Sequence, residues 1–156
     1  MLTIRPLTPT DVPALAAMLG TMEPWLSYGV DPTAWERLLR SVPPEELAYV
    51  AEEEGAPAGY VQFRLSGTFG LSGYVRTLAV SPALAGKGVG RLLLAHAEQI
   101  ILAQGPNVFL LCSSRNEKAQ RFYEAMGYQA CGRLPAYVLA TEDEIIYRKT
   151  TGPIRR

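Results

Sequence analysis

The chain has 156 residues, 48% of them hydrophobic and 19% charged, so composition points to one globular domain able to bury about 70% of its unfolded surface. Fifteen Lys and Arg balance fifteen Asp and Glu, which speaks against a nucleic-acid or membrane-surface partner. Two cysteines and one histidine are too few for a disulfide framework or a zinc site, so no metal is expected.

A short strand around Thr3 and Ile4 ends at Pro6, and Asp11 is expected to open the helix DVPALAAML. A loop rich in aromatics, GTMEPWLSYGV (20–30), leads to a second helix with Asp31 as N-cap and Pro32 at its first position. LAYVAEE (47–53) and AGYVQFRL (58–65) read as a hairpin whose acidic turn is solvated. GYVRTLAV (73–80) is a strand stopping at Ser81-Pro82, and VFLLC (108–112) has the uninterrupted apolar pattern of a doubly covered strand. Between them a long helix runs to about Gln104, ended by Gly105-Pro106. A helix from Glu117 to Met126, a strand from Tyr128 and a last strand, EIIYRK (144–149), follow. The expected fold is mixed α/β with one domain over residues 1–150 and a loose tail at 151–156.

The segment LAGKGVGRLLLAHAEQ (84–99) places Gly86, Gly88 and Gly90 where the long helix must start. A helix N-terminus carries unpaired N–H groups and about half a positive charge, and glycines leave that rim open to an anion. A nucleotide-binding P-loop requires G-x-x-x-x-G-K-[ST], and a dinucleotide fingerprint requires G-x-G-x-x-G; the G-x-G-x-G spacing here fits neither. The pyrophosphate of coenzyme A and a plain tight turn remain.

A second segment decides between them. Together, Val80-Ser-Pro…Gly86-Lys-Gly88-Val-Gly90-Arg and Asn116-x-x-Ala119-x-x-Phe122-Tyr123-x-x-x-Gly127-Tyr128 resemble the GNAT superfamily of N-acetyltransferases in residues, order and separation. The resemblance implies a mostly antiparallel central sheet, splayed at the cofactor site and flanked by about four helices. It implies transfer of an acetyl group from acetyl-CoA to a primary amine of a small molecule or peptide, by direct attack in a ternary complex. The other function considered is a non-catalytic acyl-CoA sensor.

The same resemblance assigns residues. Main-chain amides from Gly86, Lys87, Gly88, Val89, Gly90 and Arg91 cradle the diphosphate, Ala85 belongs to the same cofactor-binding loop, and Lys87 and Arg91 either add charge or are simply solvated. Backbone amides at Leu78 and Val80 face the thioester carbonyl as it gains charge. Asn116 caps its helix and, with Ala119, lies along the pantetheine arm. Tyr123 stands at the general-acid position or merely packs beside Phe122. A thiol of pKa about 8.5 facing a phenol of about 10 makes that proton transfer uphill by ~2 kcal/mol. Ala85 stands where family members often carry Arg or Gln, removing one side-chain contact to the cofactor.

An alkyl amine of pKa about 10.4 must lose a proton before attack. The strand around Tyr74 and Arg76 holds no acid, so the base is left to water, to an acid such as Glu23 or Glu52, or to a low-pKa amine. Glu23, Trp25 and Tyr28 either wall the acceptor or anchor their loop to the core. Gln62 and Arg64 share one face of their strand. If that face and Arg76 border the acceptor site, an acceptor bearing a carboxylate is favoured. His96 and Cys112 are read as structural, and Ser113 and Ser114 lack a hydrolase elbow. No signal-peptide core or membrane span is visible, so a cytoplasmic enzyme is expected, with a homodimer as a possible assembly and no nucleic-acid or membrane partner.

Overall fold

The computed structural model describes residues 1–155; Arg156, the end of the expected tail, lies outside the described residues. Seven strands form one sheet in the order β1-β2-β3-β4-β5-β7-β6. They are β1 (Leu2–Pro6), β2 (Glu46–Glu53), β3 (Ala56–Thr68), β4 (Ser72–Val80), β5 (Asn107–Ser113), β6 (Gln129–Leu134) and β7 (Glu144–Thr150). The four α-helices are α1 (Val12–Leu19), α2 (Pro32–Arg40), α3 (Val89–Leu102) and α4 (Glu117–Ala125). Mixed strands and helices around a single, largely antiparallel sheet agree with the sequence reading. Among the described residues no helix is long and apolar enough to cross a membrane.

Main-chain contacts group the chain into two compact units, Met1–Phe63 with Thr77–Ala97, and Arg64–Arg76 with Glu98 onward. In the first unit, Val12, Leu15, Leu19, Trp35, Leu39, Val50, Tyr60 and Ala79 form one buried cluster. Gly59 of β3 lets α3 approach the strand closely, since a Cβ there would stand 2.7 Å from both the Ala79 carbonyl and Leu93 Cδ1. Asp31 caps α2 as expected, accepting from the Ala34 amide at 2.8 Å. Asp11 does not cap α1 in the expected manner. The chain turns at Pro9, whose fixed φ suits the first position of a turn, and Asp11 is already helical (φ −77°). Its carboxylate turns back to the Thr8 amide at 2.8 Å and takes two guanidinium donors from Arg5. The Arg5 hydrogen bonds hold that carboxyl well below the usual carboxylate range.

In the second unit β5 pairs antiparallel with β7 along its whole length, while its parallel pairing with β4 covers Gly73–Val75 against Val108–Leu110. β6 follows β7 with a register shift between Ala130 and Gly132. The third strand is longer than the 58–65 stretch read from the sequence. β3 runs on to Thr68, and Phe69 (φ 56°) and Gly70 (φ 68°) make the two-residue, positive-φ turn that the twist of paired strands favours. Glu98 on α3 is buried and satisfied by the Tyr128 hydroxyl at 2.7 Å and Lys149 Nζ at 3.2 Å. Tyr128, the last residue of the second motif, thereby pins the end of α4 to α3. At the C-terminal end the Thr151 amide donates to the Pro106 carbonyl at 2.9 Å.

Candidate active site

The glycine loop lies in the first unit. Gly86 (φ 78°) and Gly88 (φ 84°) both occupy the left-handed region, and a Cβ on either would meet nothing within 4 Å. Gly90 is already helical, inside the first turn of α3. The alternating glycines thus serve two purposes: two shape the turn, and the third keeps the helix rim bare. The Lys87 amide bonds back to Leu84 at 3.3 Å, and the first helical bond runs from the Leu92 amide to the Gly88 carbonyl at 3.1 Å. The amides of Gly86, Gly88, Val89, Gly90 and Arg91 donate to no other described residue. Ala85, Lys87 and Arg91 are exposed. Unsatisfied amides next to glycines that carry no side chain fit a diphosphate, which brings acceptor oxygens and negative charge. Leu78 and Val80 are half-buried in β4, and the Ser81 amide closes that strand onto Ala58 at 2.8 Å.

The second motif lies in the second unit. Asn116 Oδ1 accepts from the Ala119 amide at 3.1 Å, the N-cap that starts α4. Gln120 Nε2 donates to the Ser113 and Ser114 carbonyls at 3.1 Å, holding the helix against the end of β5. Tyr123 is half-buried and flanked edge-on by Phe122 at 5.4 Å and Tyr128 at 5.9 Å. Its hydroxyl donates to no described residue. Burial, then the Cys112 thiol and the Tyr74 phenol, push the Tyr123 phenol above its ordinary value, so it stays protonated across the working pH range. The Cys112 thiol is buried and pushed up to about 12 by burial and Glu144, which makes it inert.

The residues weighed for the acceptor side separate. Trp25 stands edge-on to Trp35 at 5.6 Å and packs on the first unit's core, which favours the anchoring role. Glu23 accepts from the Ser27 amide at 3.1 Å within its own loop. Tyr28 is half-buried in the same loop. Glu52 is engaged by Arg5, which leaves it poorly placed as a base. Arg64 is half-buried in β3, and the exposed Arg76 places its guanidinium 6.0 Å from the Tyr74 ring. Gln62 is buried to 9% exposure and hydrogen-bonded on both sides, so it does not present an open polar face. His96 packs edge-on against Tyr49 at 4.4 Å with Nε2 buried and unpartnered, and burial lowers its basicity.

Sequence reasoning missed Glu46. It opens β2 one residue before the expected strand, is 6% exposed, and accepts from Gln62. The period-2 pattern places no carboxylate inside, so hydrophobic alternation carries no signal for it.

The sequence model of the acetyltransferase (GNAT) family matches residues 13–128. The N-alpha-acetyltransferase RimI of Mycobacterium tuberculosis is 31% identical over 156 aligned residues, covering 96% of this chain and 93% of that protein. The peptidyl-lysine N-acetyltransferase YjaB of Escherichia coli is 34% identical over 102 residues, which are 65% of this chain and 62% of that protein's length. A crystal structure of a GNAT-family acetyltransferase from Desulfovibrio desulfuricans superposes with a TM-score of 0.79, covering 97% of this chain and all of that one at 24% identity. The chain therefore belongs to the acetyltransferase (GNAT) family, N-acetyltransferases that use acetyl-CoA as donor.

Proposed function

We propose that this N-acetyltransferase acts on the α-amino group of a protein or peptide. In this reading the amides of Gly86 and Gly88 to Arg91 hold the acetyl-CoA diphosphate, assisted by Lys87 and Arg91, whereas the Ala85 amide is spent on the Pro82 carbonyl at 3.4 Å. The Leu78 and Val80 main chain orients the thioester carbonyl, so that the growing oxyanion meets a preorganised N–H. Asn116 and Ala119 line the pantetheine arm at the start of α4. Tyr123 protonates the departing thiolate, and its neighbours hold the phenol in one orientation. The row of unpartnered amides at the start of α3 is the observation that carries the reading.

The acceptor class draws on two supports. One relative is named an N-alpha-acetyltransferase and another a peptidyl-lysine N-acetyltransferase, which supports an α-amine from the first name and a polypeptide acceptor from the second. An α-amine of pKa about 7.7–8.0 is partly neutral at pH 7, whereas a lysine ε-amine of about 10.4 is almost wholly charged. A strand 73–80 without a carboxylate suits the former. Tyr28, Arg64 and Arg76 then border the acceptor, with Glu23 and Trp25 shaping its loop, and the arginines favour a peptide that carries a carboxylate. The reading places the reaction in the cytoplasm, where two free cysteines are at home.

Thiol release from acetyl-CoA tests this with three acceptors: a short peptide with a free N-terminus, an N-terminally blocked lysine peptide, and a polyamine. The free N-terminus is expected to give the highest kcat/KM. Preference for the polyamine would overturn the acceptor reading, and preference for the blocked lysine peptide would reassign it to ε-amines.

A further inference from the structure

The sheet face that the second unit turns away from α3 carries polar groups that nothing in the chain uses. Gly73 of β4 marks the helix side, since a Cβ there would stand 2.2 Å from Ile101 Cγ2 of α3. Strand alternation therefore sends the Ser72 side chain to the opposite face. Val108 of β5 pairs with Gly73 in the parallel register, so Asn107 lies beside Ser72, and Phe109 follows on the same face. Arg148 of β7 stands directly opposite Phe109 in the antiparallel ladder and shares that face. These residues line a concavity of about 480 Å³, walled also by Phe69 and Ile154. It holds none of the residues assigned above to the cofactor or the acceptor.

Three of the lining groups are hydrogen-bond donors with capacity to spare. Ser72 is 5% exposed and Asn107 4%, yet among the described residues neither the Ser72 hydroxyl nor the Asn107 amide nitrogen has a partner. Chemistry fixes which way round that amide stands. Arg148 Nε can only donate, so the Asn107 atom 2.8 Å away is the oxygen, and the NH2 group is left over. Arg148 is half-buried, and its partners are the neutral side-chain oxygens of Asn107 and, at 3.4 Å, Thr150. Among the described residues no carboxylate neutralises it.

Buried polar groups are ordinarily paired, and a guanidinium shielded from water ordinarily has an acid beside it. A carboxylate meets both needs, with negative charge for Arg148 and lone pairs for all three donors. The walls describe the rest of the ligand. Phe69, 83% exposed, meets Phe109 edge-on at 6.0 Å, and Ile154 is 49% exposed, so the complementary body is apolar. A purely apolar partner would bury the three donors unpaired, which costs free energy. The volume falls in the range of about 300–1,000 Å³ that small-molecule sites occupy.

We infer that this concavity binds a small monocarboxylate with an aromatic or branched apolar body. Ser72, Asn107 and Arg148 hold its carboxylate, and the two phenylalanine rings and Ile154 hold its body.

The probe is hydrocinnamate, with its neutral primary amide as control. NMR of the Asn107 side-chain NH2 and the Arg148 Nε–H is expected to show saturating shifts by about 10 mM, the strength that the low end of ligand efficiency gives so small a molecule. The amide is expected to bind about 10- to 100-fold more weakly, having lost the charge that the guanidinium meets. Asn107→Asp places a carboxylate beside Arg148 at almost unchanged volume and is expected to weaken hydrocinnamate by a similar factor. Cys131 lines the same concavity with an exposed thiol, whereas Cys112 is buried, so bound hydrocinnamate is expected to slow maleimide labelling of Cys131. The absence of saturating shifts, equal binding of acid and amide, unchanged affinity in Asn107→Asp, or labelling that the ligand does not slow overturns the inference. So does a Cys131 already shielded in ligand-free protein, since another chain would then cover the face. Should Asn107→Asp fail to fold, the comparison of acid and amide on the wild type decides alone.

Discussion

Gly88→Val is expected to raise the dissociation constant for acetyl-CoA by at least about 100-fold while leaving the protein folded. The residue holds φ 84°, a conformation that a β-branched side chain adopts only at a cost of about 1–3 kcal/mol. Relief of that strain rotates the peptide units on either side of residue 88, and so reorients the Gly88 and Val89 amides. Hydrogen bonds to a charged group contribute about 1.5–3 kcal/mol each, and two misaligned donors therefore remove about 3 kcal/mol or more, a factor of at least about 100. The same strain, spread over 156 residues, lowers the melting temperature by only about 2–4 °C per kcal/mol. Calorimetry and a thermal melt on one preparation separate the two effects. Affinity within threefold of the wild type would show that these amides are not what holds the donor.

Tyr123→Phe is expected to cut turnover by about 10²- to 10⁴-fold, the usual span for loss of a general acid, with acetyl-CoA affinity changed little. Phenylalanine keeps the ring contacts with Phe122, Tyr128 and Tyr147, so α4 stays in place. Only the hydroxyl is removed, and it bonds to no described residue in the protein itself. A phenol pushed above its ordinary pKa is a weaker acid than one in water, so its contribution comes from placement against the thiolate and not from acidity. It follows that the wild-type rate has no phenol ionisation below pH 10. Single-turnover thiol release, compared with acetyl-CoA binding, reads this directly. Unchanged turnover would take Tyr123 out of the mechanism and leave the thiolate to solvent protons.

How far the sequence discloses this protein depends on whether a feature is local. Asp31 with Pro32, Asn116 with Ala119, and the glycines before α3 act within a few residues, and each appears in the structure where its spacing places it. The two motifs also identify the family before any coordinates, because the loop and the Asn116–Tyr128 segment are each continuous. Where partners are distant the reading falters. Asp11 looks like a helix cap, yet Arg5 and Thr8 compete for its carboxylate and Pro9 starts the turn earlier. Glu52 looks like part of a solvated acidic turn until Arg5 of β1, its neighbour in the sheet, is found to engage it. The hairpin turn at Phe69-Gly70 lacks the Asn-Gly or Asp-Gly signal and carries an aromatic at positive φ, so the extent of β3 is hidden.

The acceptor side illustrates the same limit. The aromatic loop 20–30 is legible as a loop, but the sequence leaves open whether its rings face the core or a substrate. Trp25 turns inward against Trp35, an interaction ten residues away that only packing decides. Gln62 alternates correctly with Arg64, yet its amide is consumed by Tyr60 and Glu46. A polar residue on the expected face is therefore not a polar residue facing a ligand. The catalytic reading, weighed in the sequence against a non-catalytic sensor, is favoured by relatives named as N-acetyltransferases.

Amide NMR during titration with coenzyme A tests the central claim most directly, because it reports on the main-chain donors one by one. The account predicts large, saturating shifts at the amides of Gly86, Gly88, Val89, Gly90 and Arg91, lost when pantetheine, which has no diphosphate, replaces the full coenzyme. Binding that leaves those amides unmoved, or an equal response to pantetheine, would contradict it.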